Sequence, residues 1–296
     1  MSAPARPILR FAPTPNGRLH LGHAYSALMN EAWAARLGGR LLLRIEDLDA
    51  ARCKPEYVDA ILDDLLWLGV PFEAPHRLQS EHLSDFDEAL GALERMGLLY
   101  PCACGRADSL RLSNGARDPD GAPRHGPRAC AHGPAETARL ARDGAPIALR
   151  LDTARAVSLV GRELSWREFG EAGTERRILA DPLAWGDVVL KGKQLPASYH
   201  LAVVVDDALQ GVSEVVRGRD LFAATAIHVL LQALLKFDAP NYRHHRLVLD
   251  TSGKKLSKSA GSDTLNALRG HGASASDIRA MLGFAGREAS VALSWS

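Results

Sequence analysis

Two short runs carry the residue types that handle phosphate. His20-Leu21-Gly22-His23 lies near the N-terminus, and Ser252-Gly253-Lys254-Lys255-Leu256-Ser257-Lys258-Ser259 follows more than 200 residues later. The first stands where an apolar strand gives way, through a Pro-rich loop, to a helix. A helix start presents unpaired backbone N–H groups and a positive dipole end, which suit an anion. His20 and His23 fall on one face of the first turn, so both imidazoles can donate to phosphate oxygens as charge builds in an in-line attack. Gly22 has no side chain to keep a flat base or ribose from the backbone. In the second run, Lys255 and Lys258 sit in a Gly/Ser segment whose ammonium groups can follow the charge of a departing polyphosphate. Taken singly, the first run is equally a capped helix start with two surface histidines. The second is equally a solvated basic loop.

The elements that must position these runs follow from periodicity. Residues 7–12 read as a short buried strand, broken by Pro13-Thr14-Pro15-Asn16-Gly17. A helix is predicted from Leu19 to Leu37, closed by Gly38-Gly39, then a strand over Leu41–Ile45 that ends in Glu46-Asp47. Tyr57, Ile61, Leu65 and Leu68 share a helical face, with Gly69 as the stop, and a further helix is predicted over Leu83–Met96. This alternation predicts an α/β fold of Rossmann type, a parallel sheet with crossover helices. Residues 101–134 lack periodic apolar positions and cannot pack a core of their own. Leu201–Val205 reads as a buried strand, Leu221–Phe237 as an apolar helix and Arg246–Asp250 as a last strand. The expected organisation is a first catalytic half over 1–100, an insertion over 101–190, a second half over 191–240, and a lysine-loop and helical part over 241–296.

Composition narrows the classes. The chain has 296 residues, 46% of them hydrophobic, enough for a substantial core. Lys and Arg number 36 against 35 Asp and Glu, so any nucleic-acid surface must be a local patch. No apolar stretch approaches the ~20 residues of a membrane helix. The N-terminus runs straight into a strand-like segment without a signal-peptide core, so the expected location is the cytoplasm. Three of the four cysteines are Cys102, Cys104 and Cys130, a spacing that fits metal binding better than a disulfide framework in that compartment. Cys53 stands apart and reads as a small side chain.

Five segments, in order, resemble the glutamyl-tRNA synthetase family of class I. They are Arg10–His23, Leu43–Asp49, Tyr199–Asp207, Val216–Leu221 and the lysine loop. The resemblance implies ATP as substrate, bound by His20, Gly22, His23 and Lys258, with Lys255 assisting. It implies a glutamate site of Arg10, Phe11, Ala12, Pro13, Thr14, Glu46, Tyr199 and Arg217. The chemistry agrees, since glutamate offers two carboxylates to Arg10 and Arg217 and an ammonium to Glu46. Mg²⁺ is expected to accompany ATP.

The chain ends at Ser296, shortly after the lysine loop, where ordinary members continue into a helical anticodon-binding region. A short, free-standing member is similar to the glutamyl-queuosine tRNA(Asp) synthetases. That resemblance implies glutamate activation without tRNA and transfer to the queuosine base in the anticodon stem-loop of tRNA(Asp). It also implies one structural Zn²⁺ on two cysteines, a tyrosine and a third cysteine. Where the tyrosine is expected this chain has His125, a commoner zinc ligand, so the expected set is Cys102, Cys104, His125 and Cys130, with His132 as rival. Tyr242-Arg243-His244-His245-Arg246 reads as a basic rim for RNA, as do the arginines of the insertion. A minimal synthetase that charges a tRNA 3′ end and an inactive RNA- or partner-binding paralogue stay open beside the leading reading.

Overall fold

The order of elements alternates as expected at the N-terminal end and departs from expectation further on. A computed structural model describes residues 6–126, 130–170, 174–249 and 264–284. In chain order its elements are β1 (Ile8–Phe11), α1 (Leu21–Leu37), β2 (Arg40–Ile45), α2 (Pro55–Leu68), β3 (Glu73–Leu78), α3 (Leu83–Arg95) and β4 (Leu99–Cys102). They continue with α4 (Arg106–Leu112), α5 (Pro134–Arg142), β5 (Ala148–Leu151), α6 (Thr153–Val160), β6 (Ser165–Glu168), β7 (Arg176–Leu179) and β8 (Val189–Lys191). Then come α7 (Tyr199–Leu209), β9 (Glu214–Gly218), α8 (Thr225–Leu235), β10 (Asn241–His245), α9 (Leu265–Gly270) and α10 (Ala275–Met281).

Strands β1, β2 and β3 pair in parallel, and β9, β10 and β6 form a second parallel set edged by antiparallel β7. The two sets meet where the Ser213 N–H donates to the Ile8 carbonyl and the Ile8 N–H donates to the Ser213 hydroxyl, both at 3.0 Å. The carboxyl ends of β1, β2, β9 and β10 therefore face one crevice, the usual ligand position in open α/β sheets. Strands β4, β5 and β8 make a separate antiparallel sheet within the insertion. Although β6 and β7 also lie between residues 101 and 190, they join the main sheet through β10. Leu265, Ile278, Leu282 and Phe284 of the C-terminal part share a core with Leu9, Leu28 and Trp33. Arg279 fastens that part down by bonds to Glu31 and the Leu68 carbonyl.

Two strand expectations are corrected. Leu201–Val205 is not a strand but the middle of α7, capped by the Ser198 hydroxyl. Every residue from Leu201 to Asp207 is buried, so the apolar run carries no period, and without a period a buried helix and a buried strand read alike. The last strand is not Arg246–Asp250 but β10, one step earlier. Hydropathy misses it because its inward positions are Tyr242, Arg243, His244 and His245, all buried. The same burial removes those residues from an RNA-facing rim; of the run Tyr242–Arg246, Arg246 alone is exposed. Among the described residues, no helix is long and apolar enough to cross a membrane.

Candidate active site and metal cluster

The ends of β1, β2, β9 and β10, with the first turns of α1 and α7, enclose a cleft of about 710 Å³. Arg10, Phe11, Ala12, Thr14, His20, Gly22, His23, Glu46, Tyr199 and Arg217 all line it. Pro13 stands behind this wall, its carbonyl accepting from the Glu46 N–H at 3.1 Å. Lys255 and Lys258 lie outside the described residues. The described residues that flank this segment reach the cleft or the start of α1. Leu247 and Val248 line the cleft before it, and after it Thr264 bridges His20 while the Leu265 N–H donates to the Leu19 carbonyl at 2.9 Å.

His20 and His23 serve first as the cap of α1. His20 Nδ1 accepts from the Gly22 N–H (3.0 Å), and His23 Nδ1 accepts from the His20 N–H (3.2 Å). An accepting Nδ1 leaves Nε2 as the protonated nitrogen of each ring, so both present an N–H donor. The rings lie 3.8 Å apart between centroids. A Cβ on Gly22 would come within 2.9 Å of the His20 ring, so glycine is what lets His20 fold back over its own helix.

Charge is laid out asymmetrically across the cleft. Arg10 gives its Nε and Nη2 to the two oxygens of Asp207 (2.9 and 3.2 Å), which leaves the Nη1–Nη2 edge for a ligand. The fully buried Arg44 bonds the same Asp207 at 2.7 Å and also meets Glu46 and Asp206. Arg77 extends the network to Asp206 and Asp85. In all, the guanidiniums of Arg10, Arg44 and Arg77 face the carboxylates of Glu46, Asp85, Asp206 and Asp207, an excess of one negative charge. Of those carboxylates Glu46 is the one on the cleft wall, so the excess is displayed there for a cation. Burial pushes the Glu46 carboxyl up, against the pull of Arg44 and Arg10. Arg217 also lines the cleft and is surrounded by neutral acceptors. Arg44, Asp206 and Asp207 have no role in the sequence reading. The signal was there: two acids closing an apolar run must find buried cations if that run is in the core.

The metal-type residues converge in the insertion. One ligand atom from each of Cys102, Cys104, His125 and Cys130 lies within 4.8 Å of all the others. Cys104 and Cys130 sulfurs are 3.6 Å apart, and Cys102 Sγ is 3.5 Å from His125 Nε2. Zinc bonds of about 2.3 Å to sulfur and about 2.0 Å to nitrogen place tetrahedral ligand atoms roughly 3.5–3.8 Å apart, so the four donors fit a closed structural site. The second shell fits too. The Tyr100 hydroxyl donates to Asp187 (2.7 Å), so its oxygen can accept from His125 Nδ1–H (3.3 Å), which leaves Nε2 with its lone pair toward the sulfurs. Burial alone would raise the Cys102 thiol, but its hydrogen bonds and the Arg150 charge draw it down to about 6. His132 faces Asp108 and Glu136 instead of the cluster.

Residues 8–289 match the family described as tRNA synthetases class I (E and Q), catalytic domain. The chain belongs to this family. It is therefore a ligase of the aminoacyl-tRNA synthetase class. A glutamyl-Q tRNA(Asp) synthetase from Rhodobacter capsulatus is 43% identical over 283 residues, covering 93% of this chain and 99% of that protein. A glutamate–tRNA ligase 2 from Xanthobacter autotrophicus is 38% identical, but the match takes in 58% of its length. In fold, the chain superposes with a TM-score of 0.74 on a glutamate tRNA ligase from Elizabethkingia meningosepticum, at 24% identity, over 94% of this chain and 60% of that one. In this class I synthetase, the two histidines of the α1 start line the cleft.

Proposed function

We propose that the protein activates L-glutamate with ATP as glutamyl-adenylate and transfers the glutamyl group to the queuosine base at the wobble position of tRNA(Asp). The observation that carries the glutamate half is the charge layout: an excess carboxylate, Glu46, and two guanidinium groups, Arg10 and Arg217, line one cleft. That pattern complements an ammonium flanked by two carboxylates. The queuosine half rests on similarity along 99% of a glutamyl-Q tRNA(Asp) synthetase.

In the first step a glutamate α-carboxylate oxygen attacks the α-phosphorus of ATP in line, and the bond to pyrophosphate breaks. The Nε2–H groups of His20 and His23 donate to the phosphate oxygens, with Lys255 and Lys258 following the leaving group. ATP enters as its magnesium complex. In the second step a hydroxyl of the queuosine cyclopentene ring attacks the glutamyl carbonyl, and the bond from that carbonyl carbon to the bridging oxygen breaks. AMP leaves with the oxygen that came from the glutamate carboxylate, and the hydroxyl proton is released to solvent. No covalent enzyme intermediate is required.

Two assays test this. Glutamate-dependent ATP–pyrophosphate exchange is expected without any tRNA, and labelled glutamate is expected on tRNA(Asp) that carries queuosine and not on tRNA(Asp) that lacks it. Exchange that requires tRNA, with label on a tRNA 3′ end, would replace the reading by ordinary 3′ charging. Silence in both assays would leave an inactive paralogue. The histidines can be separated from their capping role. His23→Asn keeps an acceptor near the Nδ1 position and removes the Nε2 donor, so the exchange rate should fall on the order of 100-fold. His23→Gln keeps a donor near the Nε2 position and should lose less. Equal losses in both variants would assign His23 to the cap alone.

A further inference from the structure

Arg217 is 4% exposed, yet each of its five N–H groups has an acceptor. Nε donates to His244 Nε2 (3.1 Å), and Nη1 donates to His228 Nδ1 (3.1 Å) and the Tyr199 hydroxyl (3.4 Å). Nη2 donates to the Thr225 hydroxyl (2.7 Å) and the Leu221 carbonyl (3.2 Å). Among the described residues no carboxylate pairs with this guanidinium, in contrast to Arg10 and Arg44, which share Asp207.

The bonding requires the two histidines to be neutral. His228 accepts at Nδ1, so its proton is on Nε2 and goes to His200 Nδ1, 3.3 Å away. His244 accepts at Nε2, so its proton is on Nδ1 and goes to Glu168, 3.0 Å away. A protonated ring in either place would turn N–H against N–H. Burial, aided by the Arg217 charge, pushes His228 well below the usual histidine range and His200 down to about 4, and burial lowers His244 as well. The next carboxylate along the chain of bonds, Glu168, is separated from Arg217 by the His244 ring.

A buried cation without a counter-ion is costly to hold, and a bound anion offsets that cost. We infer that the neutral shell of His228, His244, Thr225 and Tyr199 sets the specificity of the cleft, leaving the Arg217 charge unmatched until an acidic side chain arrives and so selecting a carboxylate over its isosteric amide. Tyr199 makes the longest of the five bonds and lines the cleft, so its hydroxyl is the group that a ligand oxygen displaces. His228 and His244 are positioning residues: they hold the guanidinium and contribute no charge of their own. The inference rests on the glutamate reading above.

The test separates charge from shape at His228, with glutamate and glutamine as alternative substrates in pyrophosphate exchange. Asparagine places an oxygen near the Nδ1 position and keeps the shell neutral. Aspartate places the same oxygen there and supplies the missing counter-ion. His228→Asp should raise the KM for glutamate on the order of 30-fold more than His228→Asn does, collapse the preference over glutamine where His228→Asn keeps it, and leave the KM for ATP within about twofold. Circular dichroism checks that both variants fold. Should His228→Asp not fold, Thr225→Asp against Thr225→Asn makes the same comparison at Nη2. Equal behaviour of a folded Asp and Asn pair would overturn the inference while leaving the glutamate reading intact. Wild-type protein that exchanges with glutamine as well as with glutamate would also overturn it. Absence of glutamate-dependent exchange in the wild type would overturn the glutamate reading, and the inference with it.

Discussion

Replacing Asp207 with alanine is expected to cost about 3–5 kcal/mol of folding stability, because two buried guanidiniums lose the carboxylate they share. A domain commonly holds roughly 5–15 kcal/mol in total, so the variant should unfold at much lower denaturant than the wild type. Arg44 suffers most. It has no exposure to water and its other acidic partners, Glu46 and Asp206, sit at 3.3 and 3.6 Å. Arg10 loses both bonds of its fork, so whatever folds should also bind its acidic substrate poorly. Asp207→Asn keeps an acceptor without the charge and should fall between. A loss under about 1 kcal/mol in urea titration would mean that Asp206 and Glu46 take over the cations. Acid should reproduce the effect. Burial would raise the Asp207 carboxyl, but Arg10 and Arg44 outweigh it and hold it below the usual carboxylate range. Its stabilisation is therefore present above the pKa of the unfolded chain, about 3.9, and is lost as pH falls through the lower folded value.

Removal of a metal held by the Cys/His cluster is the second large effect expected. Cys102, Cys104 and His125 are buried at the root of the segment that runs from β4 into the insertion, and that segment has few apolar side chains to replace a metal tie. Structural zinc sites contribute folding free energy outright. About one zinc per chain is expected in purified protein by elemental analysis. A strong chelator should remove it and lower the melting temperature by roughly 10 °C or more. His125→Ala should lose most of the metal and His132→Ala should keep it, because His132 is turned to Asp108 and Glu136. Retention of zinc by His125→Ala would show that the three thiolates suffice. Loss from His132→Ala would make that histidine a ligand.

Elements with a period were legible from the chain. The segments read as β1, α1, β2, α2 and α3 fold as the spacing of apolar residues predicts, while β3, with no fully buried position, was not read; α1 ends at Gly38 in the left-handed region at φ 60°, where a helix stop is cheapest for glycine. The places where reading failed share a cause. In α7 every side of the helix is buried, so Leu201–Val205 offers no polar face to reveal its pitch. In β10 the buried positions are polar and charged, so Tyr242–His245 looked like surface. Hydropathy assumes that inside means apolar. Around Arg217 the inside is a set of paired hydrogen bonds.

Residue type and order alone were enough to specify the fold class and to pick out four Cys/His residues that the fold brings together. They suffice because each depends on local spacing or on an ordered set of segments. The partners of Arg10 and Arg217 could not be read that way. Asp207 is 197 residues from Arg10, and the acceptors of Arg217 come from α7, α8 and β10 and the turn between β9 and α8. Which buried cation is matched inside the protein and which awaits a ligand depends on what the packed sheet brings within about 3 Å, and that proximity exists only once the chain has folded.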